Sequence, residues 1–256
     1  MTTLSPAAPE LTATVRRARI AAFGLALVPV LVTVAAYVVA GAVQLSATAT
    51  ALVVAGILTL SGLAGLVVLR SRGRLDLLRL PSTVRLRAVW WLVPIAATPV
   101  VVLATTPPNA AAVTVPGLVW LAAAAAVNEE VWFRGLVLDR LRGRGPRSAV
   151  VGTAVLFGVL HLTNLAGGKS PAYAVLQLLF AVLFGLVAAL LTILTGSLWP
   201  ALLWHFAWDA VNYLAGDQLT GAALVGLTAC VVMLTWYGRR LWIRLPHTVG
   251  SPGTAA

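Results

Sequence analysis

Apolar residues in this chain come in long runs separated by short polar, Pro-containing or Gly-containing breaks. Eight such runs can be marked off, over residues 20–43, 47–69, 88–106, 113–139, 148–165, 172–195, 198–215 and 219–238. A helix of about 20 apolar residues crosses the hydrocarbon layer of a bilayer. The pattern therefore predicts an all-α fold, a polytopic membrane helical bundle of about eight transmembrane helices. The first run follows arginines and passes Ala40 and Ala42, which resemble a cleavage site. It exceeds the roughly 7–15 residues of a signal-peptide core, so it is read as a retained first span. Residues 1–15 and 245–256 are rich in Thr, Ser, Pro, Ala and Gly, without a hydrophobic period, and are expected to be disordered tails.

Charge tests the count. The chain carries 18 Lys and Arg against 7 Asp and Glu, a net +11, with 60% hydrophobic and 10% charged residues. Soluble domains carry about a quarter charged residues. The cations do not gather into one face suited to nucleic acid; they fall in bursts between apolar runs. Alternating the loops from a cytoplasmic N-terminus puts residues 16–19, 70–87, 140–147 and 239–244 on one side, which is 16 of the 18 cations. Lys169 falls on the other side and Arg134 within a span. The positive-inside rule thus favours both termini in the cytoplasm. Scarce Lys beside abundant Ala, Val, Gly and Arg resembles the residue usage of a high-GC bacterium, so the expected site is a cell membrane of the bacterial inner-membrane type. Leu75, Leu77, Leu78 and Leu80 among the arginines of residues 70–87 suggest a short interfacial segment as readily as a solvated loop. Cys230 stands alone in an apolar run, which leaves no intrachain disulfide.

Ionisable residues inside spans are costly, about 2.5–3.5 kcal/mol for Asp, Arg or Lys at a helix centre. Here Glu129, Glu130, Arg134, His161, His205 and Asp209 fall inside spans four, five and seven. Such a set calls for mutual contacts. Residues four apart share a helix face, so Glu130 pairs with Arg134 as a structural ion pair while Glu129, about 100° away, stays free for chemistry. The same spacing places Phe157 beside His161 and His205 beside Asp209. At about 1.5 Å per residue from the cytoplasmic ends, Glu129 lies roughly 15 Å deep, His161 20 Å, His205 10 Å and Asp209 16 Å, which is compatible with one cluster. Two hydrolytic chemistries suit it. The group can hold a divalent metal such as zinc and acidify its water, or, with no metal, Glu129 and His161 can activate water while His205 and a partner stabilise an oxyanion.

Glu129-Glu130-Val131-Trp132-Phe133-Arg134 fits E-E-x-x-x-R, Phe157 to His161 fits F-x-x-x-H, and His205 to Asp209 fits H-x-x-x-N/D. In this order, on consecutive helical segments, the motifs resemble the CPBP family, the CAAX prenyl protease and bacteriocin-processing (Abi) group of intramembrane proteases. The resemblance covers roughly residues 114–216. It implies a catalytic transmembrane domain over residues 113–216, while the apolar runs supply three preceding spans in residues 16–112 and a last span in residues 217–244. It also implies an intramembrane endopeptidase, of metalloprotease or glutamate type, in which Glu129 and His161 activate water, His205 and Asp209 assist, and Phe157 forms pocket wall. Its partners would be membrane lipids and a membrane-associated or lipidated protein or peptide. The prenyl-protease branch has Asn where this chain has Asp209, so Asp209 must be protonated, orient His205 or ligate a metal. Two other classes share the intramembrane charges: a proton-coupled transporter, disfavoured by the lack of an internal repeat, and a non-catalytic immunity or scaffold protein.

Overall fold

A computed structural model describes residues 8–109, 114–165, 171–216 and 220–245. Lys169, Asp217 and His247 lie outside the described residues. Among those described there is helix and connecting turn but no strand. Each of the eight apolar runs becomes helical: α1 (Ala8–Ala42), α2 (Ala47–Ser71), then short α3 (Thr83–Ala88), α4 (Val93–Thr105), α5 (Val115–Glu130) with its continuation α6 (Leu138–Leu141), α7 (Pro146–Leu160), α8 (Pro171–Thr195), α9 (Trp199–Ala215) and α10 (Gly221–Ile243).

Five stretches are long and apolar enough to cross a membrane alone: Val15–Ala42, Ala47–Ser71, Pro146–Thr163, Pro171–Thr195 and Gly221–Ile243. The other three differ for physical reasons. Helix α4 has only 13 residues, α9 has 17, and α5 runs into the charged motif. Helix α1 begins at Ala8, inside the stretch expected to be a disordered tail. Once residues 16–42 are helical, each further residue adds a hydrogen bond without a new nucleation cost.

The outer surface is apolar where a soluble protein's would be charged. Leu60, Val67 and Val225 are each about two-thirds exposed, whereas Glu130 and Arg134 are fully buried. This inversion is what a lipid solvent selects, and the chain is a multi-pass membrane protein. Helix α5 is the inner element, packed between α2 and α9, while α8 packs on α7, α9 and α10. Small residues allow the closest approaches. A Cβ at Gly65 of α2 would lie 2.8 Å from Val131 Cγ1, and one at Gly158 of α7 would collide with Val182 of α8.

The loops assort by end as the charge pattern predicts. Arg74 forms an ion pair with Asp139. Leu198 donates its N–H to the Leu77 carbonyl at 2.8 Å, and Arg147 stands over the Trp242 ring at 5.5 Å. Residues 70–92, 139–147, 195–199 and the C-terminal turns of α10 therefore meet at one arginine-rich end. At the opposite end Asn109 donates its N–H to the Leu214 carbonyl at 2.8 Å.

Candidate active site

Helix α5 delivers two adjacent glutamates to different surroundings. Glu130 Oε1 accepts from Arg134 Nη1 at 2.9 Å, the intrahelical pair expected from the i, i+4 spacing. The same oxygen lies 2.8 Å from Nδ1 of His205 on α9. A carboxylate oxygen already accepting from arginine leaves Nδ1 as the donor, so Glu130 fixes both the orientation of His205 and the nitrogen carrying its inward proton. Glu129, on the other face, has its Oε2 3.9 Å from His205 Nε2, and its side chain is 23% exposed. Just beyond Glu130 the helix widens into a π-helical segment, Val131–Val137. The Phe133 carbonyl in that segment accepts both the Leu138 N–H and, at 3.3 Å, the Thr153 hydroxyl of α7.

Helices α7 and α9 complete the arrangement. Nδ1 of His161 lies 2.7 Å from the Phe157 carbonyl, which can only accept, so Nδ1 donates and Nε2 is left for other partners. The Phe157 ring packs on the His161 ring at 4.6 Å and beneath the Arg134 guanidinium at 4.2 Å. Asp209 Oδ2 lies 3.5 Å from His205 Nε2, one turn along α9. His161, His205 and Asp209 line a cavity of about 90 Å³, with Phe157, Phe180, Phe184, Trp208, Gln177 and Ala181 as its other walls. A water needs only about 10–15 Å³ of such space.

Residues 111–211 match the family model of the type II CAAX prenyl endopeptidases, Rce1-like. The motif resemblance thus holds over about two-fifths of the chain, a segment that includes all six intramembrane ionisable residues. No curated protein and no solved structure matches the chain. The matched segment is thus similar to a family of endopeptidases, hydrolases of peptide bonds.

Within the Rce1-like segment, the structure joins Glu129, Glu130, Arg134, His205 and Asp209 by direct approach and sets His161 across the cavity from His205. Among the described residues, no three His, Cys, Asp or Glu side chains converge as a set able to hold a metal ion. Nδ1 of each histidine is already engaged, His161 by a backbone carbonyl and His205 by Glu130, which leaves Nε2 of each as the nitrogen open to another partner. Sequence reasoning missed the bond between Glu130 and His205, which links two helices and has no signature in either. It also missed the aromatic wall, where Phe180 stacks on Trp208 at 4.4 Å and Phe184 on Trp204 at 3.8 Å. The i, i+4 spacing of Phe180 with Phe184 and of Trp204 with Trp208 was the available signal.

Proposed function

We propose that this protein is a glutamate-type intramembrane endopeptidase that hydrolyses a peptide bond of a membrane-associated or lipidated protein or peptide. The unit that does so is residues 113–216, within a cell membrane of the bacterial inner-membrane type. The observation that carries this reading is the position of His205. Its Nδ1 is committed to Glu130, and its Nε2 lies 3.5 Å from Asp209 and 3.9 Å from Glu129, beside a cavity that His161 also lines.

In this reading Glu129 takes a proton from a water oriented by Nε2 of His161, and the resulting hydroxide attacks the scissile carbonyl carbon. The developing oxyanion accepts from Nε2–H of His205, which serves in this step as the imidazolium, since its Nδ1–H is already donated to Glu130. Asp209 orients that imidazole, the one of its three candidate roles that needs neither a metal nor its own hydrogen bond to the oxyanion. Collapse of the tetrahedral intermediate breaks the C–N bond, and Glu129 passes its proton to the departing amine. Glu130 and Arg134 touch no reacting atom; they position His205.

The test compares new protein N- and C-termini across the membrane proteome in cells carrying wild type or Glu129→Gln, at equal insertion. Termini present only with wild type are the expected result, and they name the substrate. Matching profiles for the two proteins would overturn the peptidase reading.

A further inference from the structure

A second cleft opens at the arginine-rich end of the bundle. It measures about 390 Å³ and is lined by Asp76, Arg79, Leu80, Pro81, Ser82, Arg85, Thr195 and Gly196. That volume falls within the roughly 300–1,000 Å³ of small-molecule sites. It shares no lining residue with the cavity between His161 and His205. We propose that this cleft binds the headgroup of an anionic phospholipid, with the phosphate against Arg79 and Arg85 and the acyl chains running past Leu80 and Val84. The proposal does not depend on the peptidase reading.

The cleft is built around a fixed cation. Arg85 Nη1 donates to the Thr195 carbonyl at 2.9 Å. The guanidinium reaches it because residue 196 is glycine at φ +66°; a Cβ there would collide with it. The facing wall is equally held, since Trp199 Nε1 donates to the Leu78 carbonyl at 2.7 Å and Leu198 N–H to Leu77. Arg79, the other lining cation, makes no side-chain ion pair or hydrogen bond among the described residues. Asp76, the one lining carboxylate, shares Arg74 with Asp139, and against Arg79 and Arg85 it leaves the lining net cationic.

Two observations select a lipid over a free anion. Leu80 and Val84, 77% and 74% exposed, stand beside the cations, so the site is charged at one edge and apolar at the other. The same end carries exposed Trp90 edge-on to Trp236 at 5.9 Å, and Arg240 over the Trp236 ring at 5.6 Å. Tryptophan and arginine at one level mark the headgroup zone of a membrane. Basic pockets at that depth recognise anionic headgroups.

Native mass spectrometry of the detergent-purified full chain tests this, with added dioleoylphosphatidylglycerol or dioleoylphosphatidylcholine. The expected result is retention of one phosphatidylglycerol about fivefold more tightly than phosphatidylcholine, a preference lost in Arg79→Gln and kept in Arg79→Lys. Arg239→Gln, which removes a cation elsewhere at the same end, should change nothing. Equal retention of the two lipids, an equal loss in Arg239→Gln, or persistence of the preference in Arg79→Gln would each overturn the site. Competition by millimolar inorganic phosphate would assign the cleft to the free anion instead.

Discussion

The two sides of the His205 ring differ more than the residues that form them. On the Nδ1 side Glu130 and Arg134 are sealed from any solvent, in contact with each other and with aromatic rings. On the Nε2 side Glu129 and Asp209 retain 23% and 17% side-chain exposure and stand 3.9 and 3.5 Å away, near but not locked. Glu129 and Glu130 are the same residue type one position apart. Helical rotation of about 100° sends one into a buried ion pair and the other to a partly exposed face, where the proposed reaction would take place. Chemistry needs the second kind of site, and the first kind holds it in shape.

The sharpest way to break this contrast is Glu129→Gln. Removing a general base costs about 10²- to 10⁴-fold in turnover. Peptide release by proteoliposomes should fall by that much, while the thermal unfolding midpoint in micelles stays close to wild type. A large fall in the midpoint would mean that Glu129 is scaffold like its neighbour.

On the sealed side the expected loss is in folding. Arg134→Met leaves Glu130 as a buried charge with His205 as its remaining partner. Breaking a buried pair in this way costs roughly 3–5 kcal/mol. Unfolding by SDS titration should show it, and Glu130→Gln combined with Arg134→Met should recover part of the loss because no charge is then stranded. Full stability in Arg134→Met alone would show that the pair is not the scaffold proposed.

A smaller effect is expected at Asp209, whose carboxylate stands 3.5 Å from His205 Nε2, beyond a normal hydrogen bond. Asp209→Asn keeps shape and polarity and should lower turnover by no more than about tenfold, the scale of one modest hydrogen bond. Asp209→Leu should lose more. If Asp209→Asn is as damaging as Glu129→Gln, its charge takes part in the reaction and the orienting role fails.

What could be read from the chain beforehand follows from what a helix period contains. The eight apolar runs, the 2.9 Å pair of Glu130 with Arg134 and the packing of Phe157 on His161 are all properties of single helices, and spacing along one strand of sequence reports them. The Glu130 bond to His205 depends on which face meets which neighbour, and no single-helix pattern encodes that; for the aromatic wall, spacing marks the two stripes on α8 and α9 but not that they stack on each other. The start of α1 at Ala8 escaped because polar composition was taken as disorder, although a helix can extend through such residues from an apolar core. The π-helical widening after Glu130 left no mark either, since Val131–Val137 reads as ordinary apolar helix.

That widening offers the finest test of the sealed side. Arg134 belongs to the π segment, and its reach back to Glu130 depends on the shape of that turn. Such a segment leaves carbonyls poorly served by the usual i→i+4 bonds. Here the Phe133 carbonyl takes the Leu138 N–H and the hydroxyl of Thr153, which is 1% exposed. Thr153→Val keeps the volume and removes the donor, so the expected loss is about 1 kcal/mol of stability. Faster hydrogen exchange at the Leu138 amide should accompany it, with turnover changed less than in Asp209→Asn. Unchanged exchange and stability would mean that the π turn is held by packing against its neighbouring helices and not by this hydrogen bond. Turnover that falls further than stability would show that the geometry of this turn is transmitted through Arg134 and Glu130 to His205.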